Sequence, residues 1–255
     1  MNEKIGILGA IPEEVGILKD YMDEIEEVNL GGRAFYTGKL FGKDSVLVFS
    51  RWGKVAAAST TAALILHFGV TEIVFCGVAG GIHPDVKRGD IVVGNSLIQH
   101  DLDPRPIMPR WEIPLTGIQK IPVKPEAINR CIVTVEHLLN AQHYSQFMQQ
   151  NELEQFGITT PKLHCGLIAS GDQFIYKREQ NEALVKDIPD VLCVEMEGAA
   201  VAQVCMDYGI TFSIFRTISD RADEDAHIDF PEFIRHISGK YTLELLKTWF
   251  NLHHS

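Results

Sequence analysis

Short apolar runs rich in Val, Ile and Phe alternate along the chain with longer stretches whose apolar residues recur at helical spacing. The runs at 4–9 (KIGILG), 34–40, 45–50, 72–77 (EIVFCG), 90–97 (DIVVGNSL), 163–169, 191–195 and 211–217 (TFSIFRT) have the length and β-branched content of strands. Between them, 12–22, 54–68 (KVAAASTTAALILHF), 125–140, 179–187, 197–208 and 231–249 follow the period of helices. This alternation predicts an α/β domain with a largely parallel sheet. The segment 33–50 departs from it. Its two runs flank the turn-forming Phe41-Gly42-Lys43-Asp44 and read as an antiparallel hairpin, so the sheet is expected to be mixed.

Two stretches break the pattern. Five of the eleven prolines (Pro104, Pro106, Pro109, Pro114, Pro122) fall between 100 and 125, with Pro125 a sixth, and they interrupt any regular element. That predicts a long ordered loop, functional or interfacial, in which Ile107, Met108, Trp111 and Ile113 are apolar for a surface excursion. The stretch 141–161 (AQHYSQFMQQNELEQFGITTP) is polar and poor in β-branched residues, and it reads as a surface helical insertion or a mobile excursion. No linker-like shift in composition and no fixed-period repeat divides the chain, so residues 1–255 are expected to form a single domain.

Composition narrows the function classes. With 45% hydrophobic residues the chain has the material for a substantial core. Lys+Arg number 23 against 34 Asp+Glu, and the resulting net charge of −11 disfavours nucleic acid and anionic membranes as partners. The first apolar stretch, about seven residues before Pro12, is too short for a signal sequence or a membrane span, and no later window approaches span length. A cytoplasmic protein is expected. Five widely spaced cysteines (Cys76, Cys131, Cys165, Cys193, Cys205) without a C-x-x-C pair read as reduced thiols.

In open α/β sheets ligands collect where strands end in loops, and four such junctions carry candidate chemistry. After the first strand, Pro12 opens a helix whose first turn holds Glu13 and Glu14, placed either to face the helix dipole or to act on a ligand. Phe75–Gly81 supplies glycines whose backbone, around Ala79 and Gly80, can approach a ligand closely. It matches neither G-x-G-x-x-G nor G-K-[ST], which argues against a dinucleotide or P-loop site. Ser170–Ile175 presents Phe174, on which a base can stack. Glu195 and Glu197 flank Met196 beside an apolar strand. Buried there, they need strong donors such as vicinal sugar hydroxyls, the alternative being capping of the following helix. Finally, Arg216 leads into Thr217-Ile218-Ser219-Asp220, where Asp220 is either a turn residue or a functional acid. Asp223, Asp225, His227 and Asp229 invite a metal reading, as do His100, Asp101 and Asp103, but they lack the EF-hand Gly and terminal Glu and any H-E-x-x-H. No metal is expected.

Taken in order, IGILGAIPEEV, GVAGGI, SGDQFI, VEMEGAAVAQVC and RTISD resemble the 5′-methylthioadenosine/S-adenosylhomocysteine nucleosidases within the nucleoside phosphorylase superfamily, over nearly the whole chain apart from 141–161. The resemblance implies a three-layer α/β/α sandwich with a central mixed β-sheet and a homodimer. It also implies hydrolysis of the N-glycosidic bond of methylthioadenosine, S-adenosylhomocysteine or a related 5′-modified adenosine, without metal or organic cofactor, in nucleoside catabolism and methionine salvage. Carried over to this sequence, Asp220 is the general acid toward purine N7 with Ser219 as its neighbour, Glu14 activates the water, and Arg216 helps hold both water and Glu14. Glu197 binds the ribose hydroxyls, Met196 packs on the sugar, Phe174 stacks on adenine, the backbone at Ile175 reads the base edge, and Phe230 helps close the 5′ pocket. Ala79, Gly80 and Glu195 complete the substrate side. Trp52 stands where the family commonly has a small aliphatic residue and is expected to reshape the end that holds the 5′ group.

The roles agree with the chemistry. Departure of the base builds negative charge on the purine and positive charge on the ribose, so an acid is needed at one end and carboxylates near the other. A phosphorylase on the same fold is the first alternative, but it must bind a dianion that Glu14 would repel. A non-catalytic nucleoside-binding protein is the second, and the retained Glu14, Glu197 and Asp220 argue against it.

Overall fold

The computed structural model describes residues 3–223 and 226–254, without the side chains of 226–229. Its strands are β1 (Ile5–Gly9), β2 (Met22–Leu30), β3 (Arg33–Leu40), β4 (Lys43–Phe49), β5 (Glu72–Gly81), β6 (Ile91–Gln99), β7 (Ile121–Pro122), β8 (Leu163–Ser170), β9 (Val191–Glu195) and β10 (Thr211–Asp220). The helices are α1 (Pro12–Lys19), α2 (Lys54–Leu66), α3 (Pro125–Leu138), α4 (Ala141–Phe147), α5 (Gln150–Gln155), α6 (Arg178–Asp187), α7 (Gly198–Tyr208), α8 (Ala226–Phe233) and α9 (Gly239–His253), with a π-helical segment, Ile234–Ser238, joining the last two.

All ten strands belong to one mixed sheet. β1 runs parallel to β4 and β5, and β5 runs parallel to β10, as expected for runs buried on both faces. β3 and β4 form the anticipated antiparallel hairpin. The central sheet and its surrounding helices are those of the α/β class expected for a nucleoside phosphorylase-like chain: α2 packs on α7, while α1 and α3 pack on α9. Part of the sheet curls further. β10 pairs with β6 as well as β5, and β9 pairs with both β8 and the end of β5, so β5, β10, β6, β8 and β9 close into a ring. The ring gathers the carboxyl ends of β5, β9 and β10 onto one rim.

The structure differs from the periodicity reading in four places. β2, with the sequence MDEIEEVNL, is an added edge strand paired only with β3, and its exposed charges guard that edge. The first helix consequently stops at Lys19 rather than 22. Ile121–Pro122 forms a short strand against β6 inside the proline-rich loop. The C-terminal helix is interrupted by the π-helical segment rather than continuous from 231.

Residues 141–161 carry α4 and α5, and their polar letters conceal an apolar stripe. Tyr144, Met148, Leu153, Phe156 and Ile158 are buried in the main hydrophobic cluster, and the Tyr144 hydroxyl lies 2.6 Å from that of Tyr241. In the loop before them, the Trp111 indole donates to the His100 carbonyl at 3.0 Å and Ile113 is buried, whereas Ile107 remains 83% exposed. The cysteines are free thiols, four of them buried; burial pushes Cys131 and Cys205 up to about 12, which suits packing rather than reactivity.

Candidate active site

A cavity of about 390 Å³ opens on the rim where β1, β4, β5, β8, β9 and β10 end. That volume is suited to a small-molecule ligand. Ala10 and Ile11 come from the β1 exit, Trp52 from the β4 exit, Val78, Ala79 and Gly80 from β5, and Gln173, Phe174 and Ile175 from the β8 exit. Val194, Glu195, Met196 and Glu197 come from β9 and its junction with α7, Ser219 and Asp220 from β10, and Phe230 from α8. The structure therefore brings together every substrate-side residue singled out in the sequence. Glu14 and Arg216 stand apart. Neither lines the cavity, and both are sealed completely behind its wall.

Glu14 sits in the first turn of α1, aimed inward, while its neighbour Glu13 is exposed. Its Oε1 accepts from the Ser238 hydroxyl at 3.0 Å and the Thr242 hydroxyl at 3.3 Å, and its buried Oε2 has no hydrogen-bond partner among the described residues. Burial pushes this carboxyl up to about 7, against smaller downward pulls from Ser238, the Arg216 charge, Thr242 and the Ala10 backbone. Ala10 lines the cavity, so the buried carboxyl is one residue layer from it.

Arg216 does not reach Glu14 with a hydrogen bond. Its Nη2 donates to Glu195 Oε2 at 2.7 Å, its Nη1 to the Phe215 carbonyl at 3.1 Å, and its guanidinium lies 3.9 Å from the centre of the Phe75 ring. It acts on Glu14 through its field. Glu195 takes the capping role that was the alternative for it. Its oxygens accept from Arg216, Ser170, the Glu197 amide at 3.1 Å and the Gly198 amide at 2.8 and 3.0 Å, which fixes the start of α7 and leaves the carboxylate saturated by protein donors. Glu197 is less committed. Its Oε1 accepts from the Gly53 amide at 2.9 Å, and burial followed by the nearby Glu195 charge holds its carboxyl above the usual range, against smaller downward pulls that include the Gly53 and Met196 backbone.

Asp220 ends β10 just beyond a register shift between Ile218 and Asp220, which turns its side chain toward the cavity. Its Oδ1 accepts from the Ala222 amide at 2.8 Å and its Oδ2 is 2.7 Å from the Ser219 hydroxyl, which also lies 3.4 Å from the Ala79 carbonyl. Gly80 makes the room, because a Cβ there would stand 2.9 Å from Ala222 Cβ and 3.0 Å from Asp220 Oδ1. At the mouth, Phe174 is 40% exposed with its ring 5.5 Å from that of Phe230, and the Trp52 indole donates to the Ala10 carbonyl at 2.9 Å. Lys54 and Asp101 tie these loops together, with the Lys54 amide donating to Asp172 at 2.8 Å and the Asp172 amide to Asp101 at 2.9 Å. Asp101 thereby serves a lysine. Of the other residues weighed for a cation, Asp225 and the side chains of His227 and Asp229 lie outside the described residues.

The sequence reading overlooked the supports: Ser238 and Thr242 beneath Glu14, the Gly53 amide on Glu197, and Ser170, whose hydroxyl meets Glu195 and accepts from the Ala199 amide at 2.7 Å. Only Ser238 and Thr242 left a trace, as a hydroxyl pair four apart on the buried face of an apolar helix.

Comparison with known proteins agrees with this geometry. The Phosphorylase superfamily matches residues 4–249. The aminodeoxyfutalosine nucleosidase of Helicobacter pylori strain J99 is 37% identical over 243 residues, covering 94% of this chain and 96% of its own. The 5′-methylthioadenosine/S-adenosylhomocysteine nucleosidase of Listeria monocytogenes serotype 4b is 35% identical, covering 96% and 99%. Among solved structures, the S-adenosylhomocysteine nucleosidase of Streptococcus pyogenes in complex with 5-methylthiotubericidin superposes with a TM-score of 0.84 at 30% identity, covering 100% and 98%. By match, identity and fold alike, the chain belongs to the phosphorylase superfamily and stands with its nucleosidases.

Proposed function

We propose that the protein hydrolyses the N-glycosidic bond of a 5′-modified adenosine, releasing adenine and the modified ribose. The observation that carries this reading is Glu14: one oxygen is pinned by two hydroxyls, the other has no hydrogen-bond partner among the described residues, and burial raises the carboxyl to about 7 behind a cavity whose walls present Asp220 and Glu197. In the reaction the C1′–N9 bond breaks with its electron pair going to the purine, and Asp220 delivers a proton to N7. Ser219 assists by turning. With Asp220 protonated, the Ser219 hydroxyl donates to the Ala79 carbonyl and leaves the Oδ2 proton for N7; once that proton has left, Ser219 donates to Oδ2 and steadies the carboxylate. Water attacks C1′ and its proton goes to Glu14 Oε2, a transfer that must pass the Ala10 layer lying between that carboxyl and the cavity in this structure, while Glu197 holds the ribose hydroxyls, Met196 packs on the sugar, and Phe174 and the Ile175 backbone take the base. Arg216 keeps Glu14 ionisable. The names of the relatives support the bond and the base, and they span two kinds of 5′ group, a thioether and the larger aminodeoxyfutalosine side chain.

The deciding experiment is incubation with methylthioadenosine in phosphate-free buffer. Free adenine is the expected product, and adenine that appears only on addition of phosphate would replace hydrolysis by phosphorolysis. A panel of adenosine, methylthioadenosine, S-adenosylhomocysteine, 5′-deoxyadenosine, aminodeoxyfutalosine and inosine, scored by free base, then fixes the 5′ preference that Trp52 shapes and the selectivity for adenine. We further assign the whole chain to one nucleoside phosphorylase-like unit, acting in the cytoplasm as a homodimer in nucleoside catabolism and methionine salvage. No helix among the described residues is long and apolar enough to cross a membrane.

A further inference from the structure

A second cleft, of about 500 Å³, shares no lining residue with the nucleoside cavity. One wall is a stripe of α1 that includes Gly16 and Lys19, a different face from the one that buries Glu14. The other wall is built by β3, the end of β4 and the loop beyond it, and contributes Arg33, Tyr36, Phe49 and Arg51. Three cations line this cleft and no carboxylate does. Lys19, Arg33 and Arg51 take part in no ion pair among the described residues, on a chain whose net charge is −11. With acids in such excess, a cluster of cations that none of them neutralises is a local field of opposite sign to the rest of the molecule.

The cluster is held in place by neutral groups. Arg33 donates to the carbonyls of Gly31 at 2.9 Å, Ala56 at 3.2 Å and Ser50 at 3.4 Å and to the Ser59 hydroxyl at 3.1 Å, so its position is fixed while its charge is left uncompensated. Arg51, in a left-handed backbone conformation at φ 63°, donates to the Gly32 carbonyl through one nitrogen and has its other donors unspent among the described residues. Burial and the Arg51 charge both lower the proton affinity of Arg33, the mark of two guanidiniums facing the same space. The Lys19 ammonium stands 4.3 Å from the centre of the Tyr36 ring. Between the walls there is room, since a Cβ on Gly16 would meet nothing within 4 Å.

We infer that this cleft is a binding site for a phosphoryl dianion, gripped by Arg51 and Lys19 over the fixed charge of Arg33, with Tyr36 and Phe49 offering an apolar wall to whatever the phosphoryl group is attached to. A guanidinium fork with free donors matches phosphate oxygens, and a dianion relieves the repulsion among the three cations. Free phosphate and an aromatic phosphate ester share this chemistry.

Titration calorimetry with inorganic phosphate and with phenyl phosphate, each at constant ionic strength against chloride, tests the site. Saturable binding at one site per chain is expected. Tighter binding of phenyl phosphate identifies an ester whose ring uses the Tyr36 wall, and equal binding identifies phosphate alone. Lys19→Glu and Arg51→Glu should each weaken the dissociation constant about tenfold or more while leaving adenine release unchanged. Lys19 is exposed at the end of α1, so its variant decides the matter even where Arg51→Glu disturbs the fold. Absence of saturable binding, or binding that both variants leave as tight as in the parent protein, overturns the inference.

Discussion

Two demands meet at Glu14. A base must be ionised to take a proton, yet complete burial favours the neutral acid, and the compromise lies at about 7. The pH profile of kcat/KM should therefore rise through an acid limb near pH 7, and a profile flat from pH 5 to 8 would remove Glu14 from the chemistry. Glu14→Gln should reduce turnover by about 10²–10⁴-fold. The same substitution tests the energetics. The unfolded carboxyl titrates near 4.5, so between pH 4.5 and 7 the native chain keeps a proton that the unfolded chain has released, and stability falls across that window as pH rises. The loss approaches about 3 kcal/mol above pH 7. Glu14→Gln, which has no charge to bury, should melt higher than the parent at pH 8 and nearly level with it at pH 4.5. Arg216→Met should move the acid limb of the activity profile upward, because the positive charge that favours the Glu14 carboxylate is gone. It should also cost about 3–5 kcal/mol by leaving Glu195 buried without its ion partner, measured by denaturant unfolding. At this scale the motifs marked Glu14, Glu197 and Asp220 in the sequence, and the structure places the last two on the cavity and Glu14 behind its wall. For Ser238 and Thr242 the sequence offered only their spacing and not their partner, because hydroxyls in helices commonly bond back to their own backbone, and the carboxyl these two hold lies 224 and 228 residues away.

The elements position these groups through their irregularities. The π-helical segment ends at Ser238 and α9 carries Thr242 one turn later, so both hydroxyls reach Glu14 at the one place where the helix leaves its regular period. Periodicity read 231–249 as one helix because a π-helical turn changes the register without removing the apolar pattern. β2 escaped for the opposite reason: an edge strand with mostly exposed residues has no hydrophobic run to announce it. The register shift that aims Asp220 was equally unreadable, since it depends on β5, a strand about 140 residues earlier whose Gly80 leaves room for Asp220 and Ala222 by having no Cβ. Gly80→Ala tests that fit. The added methyl displaces Ala222 or the Asp220 carboxyl, so kcat should fall at least tenfold, with a stability loss of about 1–3 kcal/mol in thermal melts. An unchanged kcat would mean that Asp220 does not depend on this wall.

Over the whole molecule, alternating runs announced a parallel sheet with a hairpin, but not that five strands close into a ring, because closure rests on antiparallel pairs between β5 and β9 and between β6 and β10, each far apart in sequence. Closure has a price at the surface. Bringing the strand ends to one rim leaves apolar side chains in water beside it: Trp52, which lines the cavity, is 61% exposed, and Val55, three residues on in the first turn of α2, is 81% exposed. An exposed apolar pair of this kind is a candidate contact, and the proposed homodimer would place its interface here. Sedimentation at micromolar concentration should give twice the 28.5 kDa chain mass. Val55→Glu should shift the protein toward monomer and raise KM for the nucleoside more than it lowers kcat, because Val55 borders the loop that carries Trp52 and the Gly53 amide on Glu197, while Asp220 and Glu14 are untouched. A monomeric variant with an unaltered KM would separate the interface from the pocket. A parent protein that is already monomeric would leave Val55 uncovered and Trp52 to be covered by substrate alone, and the dimer would have to be given up.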